Sequence, residues 1–575
     1  MNRVPRVTFL IIAALLGLAL WQSMGARADP FAVALLLVAG ALALLPPVNR
    51  AGAALLEKLR RPAPRDATLI AIALAVASTV YLAAVPLLSG WDLSPKLHDE
   101  YSYLLQMRML AQGRLWMPAH ELADFFESFH IFVKPVCASL YFPGTALLHV
   151  PAIWLGLPLW LLPAIASGIA VGLMYRIGTE LLDGAAGLLA AAFLLAASQF
   201  RAVSLSLMSQ PVLLMMVLLV FFAWLRWRSQ RRWTWLLLMG AASGWAVITR
   251  PVDALCWLLP LGAGVLLDLR GQGLRRAATT LAILAASAAP LLSLQLVQNV
   301  GLTGSPFILP HHRYTRLDMP QMTYGFALYD PSLQPATTLP QKRLYYQQFM
   351  TPIIRDHQPQ TLARVWTKRK LPLTFAATLA SPLLLALLPL SLPQLADRRR
   401  WVLAAVLPMF VLLYAPFPYL LPHYPLIAAP PLALLAIMGA WTIAENARVR
   451  FIVAAMLAAL ALAALHETKG VRLMQTPELR DIDRRLAEIG RPAIILFRFR
   501  PGDNYHQEPV YNTDAAWPDD AAIIRAHDLG PERNQQLIGY YACHQPQRVI
   551  YLYDRSARSL HRLGTAAELA GPIMP

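Results

Sequence analysis

The chain has 575 residues, of which 57% are hydrophobic and only 14% are charged, and its mean hydropathy is +0.48. This composition excludes an ordinary soluble domain and predicts a protein that crosses a membrane several times. The net charge of +18 does not indicate nucleic acid as a partner, because the Lys and Arg residues fall in short clusters between apolar runs, as topology signals do. The three cysteines lie far apart and form no short-spaced metal or redox motif.

Apolar runs of membrane-spanning length dominate the sequence. A bilayer core about 30 Å thick requires roughly 20 helical residues. The first run resembles a signal peptide but lacks a convincing small-residue cleavage site, so we expect an uncleaved span. The stretch 142–157 is apolar too, but its prolines favour an interfacial helix over a span. About thirteen runs qualify as spans, near residues 7–25, 31–48, 67–89, 158–176, 185–200, 211–225, 232–248, 251–267, 277–299, 372–391, 401–418, 425–444 and 451–465.

Basic clusters between these runs predict the orientation. With a cytoplasmic N-terminus, five clusters fall on the cytoplasmic side, around Arg60, Arg228, Arg275, Arg399 and Arg448. An odd number of spans then places the outer loops 90–141 and 300–371 and the C-terminal segment on the opposite face. We therefore predict a bacterial inner-membrane protein whose large polar surfaces are periplasmic.

Two domains are expected from the change in character at residue 466. Residues 1–465, with both outer loops, form an all-α polytopic membrane domain. Residues 466–575 form a small α/β periplasmic domain, because amphipathic helical spacing over 479–489 is followed by buried-strand patterns at 493–497 and 548–553. A short strand at 521–525 and a helix at 534–543 complete this prediction.

The first candidate for chemistry is the acid pair Asp99 and Glu100, which follows the exit of the third span. Residues 99–115 carry helical spacing that ends at Gln112 and Gly113. Carboxylates at a helix start are favoured by the free N–H groups and the helix dipole. The pair is therefore either an N-terminal cap or a reactive site at the membrane boundary, and the two roles are compatible.

Four other polar clusters fall on the same predicted face, where ionisable groups near hydrocarbon favour a functional interpretation. Each also has a structural one. Glu127 and His130, with Lys134, lie among phenylalanines typical of an interfacial anchor, and Arg250 and Asp253 can pair across a turn. The basic run 311–316, which includes Arg313, binds an anion or is a solvated loop. His423 and Tyr424 belong to a site or to an aromatic belt beside a buried histidine.

Carboxylates and cations on one membrane face suit transfer of a sugar from a polyprenyl phosphate. The phosphate leaving group needs cations for stabilisation and no general acid. The acceptor hydroxyl needs a carboxylate that takes its proton as the new bond forms at the anomeric carbon.

The sequence resembles a known family, the integral-membrane C-type glycosyltransferases of the protein mannosyltransferase and aminoarabinose transferase kind. The resemblance covers most of the chain and is strongest for the acid pair. Its uncharacterised bacterial branch is similar in the motif at 126–130 and in the outer domain. The motifs that carry it are the runs 98–103, 113–115, 126–130, 141–144, 249–251, 422–424, 510–512 and 533–534.

The resemblance implies an enzyme that inverts the sugar as it passes from a polyprenyl-phosphate donor to a glycan, lipid or protein acceptor on the periplasmic face of the bilayer. Asp99 would be the base and Glu100 its support. Arg250, and with it Lys134 and Arg313, would hold the carrier phosphate, while Glu127, His130, His423 and Tyr424 would bind substrate.

The same resemblance leaves a divalent metal open, with no cofactor assigned. Many relatives place a further acid near the outer end of the span pair at 185–225, where this chain has Ser204, Ser206 and the run 208–211. Two rival functions also stay open. A ligase that moves a whole glycan from a diphosphate carrier would depend on the basic run at 311–316, and a lipid or solute transporter would make no covalent product.

Overall fold

The computed structural model describes residues 29–444, 446–466, 476–489 and 492–570. The predicted span at 7–25 lies outside the described residues. Two compact units are present, each assembled from three stretches of chain. Among the described residues, the first comprises 29–93, 159–293 and the part of 359–466 that is described, and the second comprises 94–158, 294–358 and the described residues from 476 to 570. Both outer loops thus contribute to the same unit as the C-terminal segment, and the predicted domain boundary at 465 remains a prediction.

The described residues are mainly helical. In chain order the helices are α1 Pro30–Leu44, α2 Pro46–Arg60, α3 Pro64–Leu88, α4 His98–Ala111, α5 Gly144–Leu155, α6 Leu161–Leu181, α7 Gly184–Ala196, α8 Ser198–Val203, α9 Ser209–Gln230, α10 Trp233–Val247, α11 Pro251–Leu269, α12 Leu274–Thr303, α13 Pro310–Asp318, α14 Pro340–Tyr345, α15 Thr351–Asp356, α16 Leu362–Val365, α17 Leu371–Thr378, α18 Arg398–Ala404, α19 Val406–Tyr414, α20 Ala429–Ile443, α21 Ala447–His466, α22 Pro477–Ala487, α23 Pro531–His544 and α24 Ala566–Ala570.

Shorter helical turns and seven strands complete the described elements. Turns of 3₁₀ helix lie at Ala123–Phe126, Pro382–Leu387, Pro389–Ala396, Tyr424–Ala428 and Pro518–Asp520, and π-helical turns at Tyr346–Met350 and Trp366–Lys370. The strands are β1 Met117–Pro118, β2 Ile131–Phe132, β3 Val136–Ser139, β4 Ala493–Arg498, β5 Ile523–His527, β6 Val549–Asp554 and β7 Ser559–Thr565.

Seven helices among the described residues are long and apolar enough to cross a membrane, or eight if the bent pair α1 and α2 is one span. They coincide with seven of the predicted spans, so a multi-pass membrane protein is confirmed and the total of about thirteen remains a prediction. The predicted span at 31–48 is bent by 95° between α1 and α2. The predicted span at 372–391 becomes α17 followed by 3₁₀ turns, because Pro382 and Pro389 lack the N–H that continues an α-helix.

The C-terminal segment forms a four-stranded sheet in the order β5-β4-β6-β7. Strand β4 runs parallel to β5 and β6, and β7 closes the edge antiparallel to β6. Alternate residues of β4 enter two cores: Ile494 and Leu496 lie with Leu537 of α23, and Ile495 and Phe497 lie with Ile482 of α22. The predicted helical membrane protein with a small C-terminal α/β region is confirmed, although β7 was not predicted.

A second, three-stranded sheet in the first outer loop has the order β1-β3-β2. Strands β2 and β3 are antiparallel, with Ile131 opposite Ser139. His130 precedes β2 and Tyr141 lies two residues beyond β3, so the pairing brings these two side chains to the same end of the hairpin. This hairpin and the start of α4 position the candidate site.

Candidate active site

Glu100 caps the helix that carries the acid pair. The carboxylate accepts hydrogen bonds from the backbone N–H groups of Lys96 at 3.0 Å and Leu97 at 3.2 Å, and the side chain is buried. A Glu at the third helical position that reaches back to the residues ahead of the helix satisfies donors that the first turn leaves unpaired. Of the two roles that the sequence allowed for the pair, Glu100 performs the capping role.

Asp99 has a different environment on the same turn. Its carboxylate accepts a short hydrogen bond from the Tyr141 hydroxyl and lies 3.8 Å from Nδ1 of His130. Nδ1 of His130 is also 3.1 Å from the Tyr141 hydroxyl oxygen. Because that hydroxyl donates its proton to Asp99, a hydrogen bond between the two rings requires the His130 tautomer protonated on Nδ1. We call Asp99, Tyr141 and His130 the carboxylate trio.

The backbone of His130 is fixed on both sides. Its φ of 62° lies in the left-handed region, which non-glycine residues seldom adopt. The N–H donates to the Tyr314 hydroxyl at 2.8 Å, and the carbonyl accepts from Ser102 Oγ at 2.6 Å and from the Leu140 N–H. These bonds hold the strained conformation in place.

Burial keeps the neighbouring histidines neutral. The pKa of His130 is lowered by burial, although the Asp99 carboxylate partly opposes the shift. The pKa of His98 is lowered to about 3, mainly by burial and further by His130. The His98 ring stacks on Phe129 with centroids 4.3 Å apart, and its Nδ1 lies 2.9 Å from the Tyr511 hydroxyl. At neutral pH neither ring brings a positive charge to Asp99.

A buried ion triad lies in the same unit. Nζ of Lys342 is 2.6 Å from an Asp318 oxygen and 3.0 Å from a Glu127 oxygen, and it lies over the Tyr314 ring. Burial lowers the pKa of Lys342, but the two carboxylates outweigh burial and raise it above its ordinary value. Thr337 also donates to Glu127 at 2.6 Å. The predicted substrate ligand Glu127 therefore serves a structural ion pair, and its contact with substrate remains a prediction.

Two of the predicted phosphate ligands also have protein partners. Lys134 is 58% exposed and lies 2.6 Å from Asp124, which is also paired with Arg533 at 2.8 Å. Arg313 donates to the Leu302 carbonyl at 2.8 Å. Both positions stay predictions as phosphate ligands.

Arg250 lies in the first unit, directly before α11. Its Nε donates to Asp253, and Tyr414 donates to both oxygens of that carboxylate at 3.0 Å. The guanidinium lies over the Tyr424 ring, 4.5 Å from the centroid. The pairing with Asp253 that the sequence allowed is thus present. Stacking on Tyr424 holds the guanidinium in one orientation, with 18% of the side chain exposed.

His423 precedes this cluster and contacts the Tyr424 ring at a centroid distance of 5.0 Å. Among the described residues, no group of three or more His, Cys, Asp or Glu side chains converges to hold a metal ion. We therefore assign no step to a metal.

Asp99, Glu100, Glu127 and His130 lie in one predicted outer loop, but the sequence does not indicate which of them contact one another. The structure joins Asp99 to His130 through Tyr141, while the Glu127 carboxylate pairs with Lys342. Three partners in this region were not predicted from the sequence: Lys342, Asp318 and Tyr511. Lys342 could have been singled out because it lies in the same outer loop as Asp318. Its pairing with Glu127 could not, because 215 residues separate the two in the sequence.

Comparisons with known proteins bear on the family. Residues 152–294 match the profile of the dolichyl-phosphate-mannose-protein mannosyltransferase family. Among curated proteins, no sequence matches this chain significantly.

Solved structures show distant similarity. ArnT from Cupriavidus metallidurans bound to undecaprenyl phosphate is 15% identical with a TM-score of 0.45, covering 85% of this chain and 94% of that one. The apo form is 14% identical with a TM-score of 0.46, covering 83% and 93%. The Archaeoglobus fulgidus oligosaccharyltransferase in complex with Zn and sulfate is 13% identical with a TM-score of 0.45, covering 74% and 55%. TM-scores below 0.5 do not establish a common fold, so these similarities support no further conclusion.

The match over residues 152–294 agrees with the resemblance to the integral-membrane C-type glycosyltransferases that the sequence predicts.

Proposed function

We propose that the chain is an inverting glycosyltransferase that moves a sugar from a polyprenyl-phosphate donor to a cell-envelope acceptor. The observation that carries the proposal is the environment of Asp99. This carboxylate is oriented by the Tyr141 hydroxyl, lies beside the neutral His130 ring and keeps 28% of its side chain exposed. An oriented, partly accessible carboxylate with a neutral histidine beside it suits a general base.

In the proposed reaction Asp99 accepts the proton of the acceptor hydroxyl as that oxygen bonds to the anomeric carbon. The bond from this carbon to the phosphate oxygen breaks on the opposite face, so the configuration inverts and polyprenyl phosphate leaves with its electron pair. The proton on Asp99 then passes to solvent. Tyr141 keeps one carboxylate oxygen oriented throughout, and Glu100 fixes the start of the helix that carries Asp99.

For the carrier phosphate we propose Arg250, supported by Lys134 and Arg313. The stacked guanidinium of Arg250 is already oriented, which suits recognition of phosphate oxygens. His423 and Tyr424 would flank the same ligand, and His130 would contact the acceptor. The predicted orientation, with a cytoplasmic N-terminus and the trio facing the periplasm of a bacterial inner membrane, completes the proposal.

The test uses purified full-length protein in lipid nanodiscs with a polyprenyl-phosphate sugar and a membrane-extract acceptor. The unsubstituted protein should release polyprenyl phosphate and label the acceptor. Asp99→Asn keeps the shape but cannot take a proton, so we expect turnover to fall about 10²- to 10⁴-fold. Asp514→Asn changes an exposed carboxylate of the same unit and should leave turnover unchanged.

Full turnover in folded Asp99→Asn would refute the base assignment. Movement of the labelled lipid across proteoliposomes without any covalent product would instead support a transporter.

A further inference from the structure

The last turns of α12 have their polar residues inside and their apolar residues outside. Gln298 and Asn299 are almost fully buried. Leu296, Val297 and Val300 on the opposite face are 43%, 52% and 48% exposed. In water an amphipathic helix has the reverse arrangement, so this face is suited to hydrocarbon.

The buried polar face holds neighbouring backbone. Gln298 Nε2 donates to the Tyr141 carbonyl at 3.1 Å, and Asn299 Nδ2 donates to the Pro306 carbonyl at 2.7 Å. The first of these bonds ties α12 to the residue whose hydroxyl orients Asp99. The exposed apolar face is therefore the outer side of a helix that supports the carboxylate trio.

The apolar exposure continues beyond the end of α12. Phe307 is 86% exposed and Ile308 is 43% exposed, only a few residues after the helix ends at Thr303. The next element, α13, carries the exposed Arg316. A large aromatic residue followed by a cation is typical of segments at the boundary between lipid tails and headgroups.

We propose that Leu296, Val297, Val300, Phe307 and Ile308 form a lipid-facing strip, with Phe307 and Ile308 seated at the headgroup boundary of the bilayer. The occupant is lipid because the strip is continuous with α12, which is one of the helices long and apolar enough to cross the membrane. The strip needs no second protein to cover it.

Two hydrogen bonds connect the elements that carry the lipid-facing strip to residues of the carboxylate trio. Gln298 holds the Tyr141 carbonyl, and α13, which starts two residues after Ile308, carries the Tyr314 hydroxyl that receives the His130 N–H. The bilayer boundary thus sets the height of the two side chains that surround Asp99.

The test is spin-label accessibility in nanodiscs of phosphatidylethanolamine and phosphatidylglycerol. Single labels are placed by Phe307→Cys and by Ile308→Cys in a Cys543→Ser background, which removes the exposed native thiol. The label-treated background alone corrects for any reaction at Cys137 or Cys256. Leu328→Cys is the matched control, because Leu328 lies in the same outer loop and is 85% exposed but is not continuous with α12.

Labels at 307 and 308 should collide with oxygen several-fold more often, and with a water-soluble nickel chelate several-fold less often, than the label at 328. Equal accessibility at 307, 308 and 328, whatever its value, would overturn the proposal. The measurement needs no catalytic turnover, so it stands apart from the test of the proposed reaction.

Discussion

Asp99 in the second unit and Asp253 in the first each accept a hydrogen bond from a tyrosine hydroxyl, from Tyr141 and Tyr414 respectively. Their other neighbours differ. Asp253 is almost fully buried and paired with the permanently charged Arg250, whereas Asp99 is partly exposed beside a histidine whose pKa is lowered by burial. A carboxylate paired with arginine acts as a counter-ion that orients its partner. A carboxylate bonded to an uncharged tyrosine beside a neutral histidine is less strongly stabilised as an anion, so it accepts a proton more readily.

The substitution Arg250→Ala tests this difference between the two carboxylates with the largest expected effect. It leaves Asp253 buried without the arginine that pairs with it. Losing one partner of a buried ion pair costs about 3–5 kcal/mol of unfolding free energy. We expect a loss of this size in chemical denaturation, and a weaker apparent affinity for the lipid donor with little change for the acceptor.

The double variant Arg250→Gln with Asp253→Asn separates the two effects, because it removes both charges and keeps the side-chain sizes. Stability should recover in part while donor affinity stays low. If donor affinity recovered together with stability, Arg250 would be only a counter-ion to Asp253.

A smaller effect is expected from Tyr141→Phe, which removes the hydroxyl that orients Asp99. A hydrogen bond to a charged group contributes about 1.5–3 kcal/mol, so kcat should fall about 10- to 100-fold with little change in donor KM. Tyr541→Phe is the matched control, since it removes a 2.5 Å bond from a buried tyrosine to the Asp519 carboxylate of the same unit. An equal fall in kcat in both variants would mean that the effect is structural.

The smallest expected effect is a pH dependence of stability from His98. Its pKa is about 3 when folded against an ordinary value of 6.5, so below pH 6.5 the unfolded chain binds a proton that the folded chain does not. Stability from this residue is therefore complete above pH 6.5 and falls as the pH drops, by about 1 kcal/mol between pH 7 and pH 5.5.

Thermal unfolding of His98→Gln in nanodiscs should show a flatter pH dependence over this range. His561→Gln, at an exposed histidine, should leave the dependence unchanged. A pH profile of His98→Gln identical to that of the unsubstituted protein would contradict the assignment of this pKa.

Local patterns predicted the helix that begins at the acid pair, because helical spacing and the start and end signals of α4 are contained in about 15 consecutive residues. The division of labour between Asp99 and Glu100 was not predictable from those residues alone. It depends on Tyr141, 42 residues beyond Asp99, whose position is set by pairing of β2 with β3. Tertiary pairing of this kind leaves no periodic signal.

Contacts between residues still farther apart in the sequence were even harder to predict. Glu127 was singled out from its aromatic surroundings, but its partner Lys342 comes from the second outer loop. The hydropathy of the apolar runs predicts that they are buried or in contact with lipid. It does not predict whether each run forms one unbroken helix. In the run at 372–391, prolines replace the part after α17 by 3₁₀ turns, and the run at 31–48 is divided by the bend after α1.

The core of the C-terminal sheet includes Phe125 and Phe126 from the first outer loop, which lie in one cluster with Ile494 and Leu496. These phenylalanines are synthesised more than 360 residues before the strand that covers them. Because chains emerge from the ribosome N-terminus first, the membrane helices between these segments are made while this core is still incomplete. The hydrophobic core of the second unit is therefore completed late in biogenesis. It forms only when the C-terminal strands have been synthesised and pack against the first outer loop.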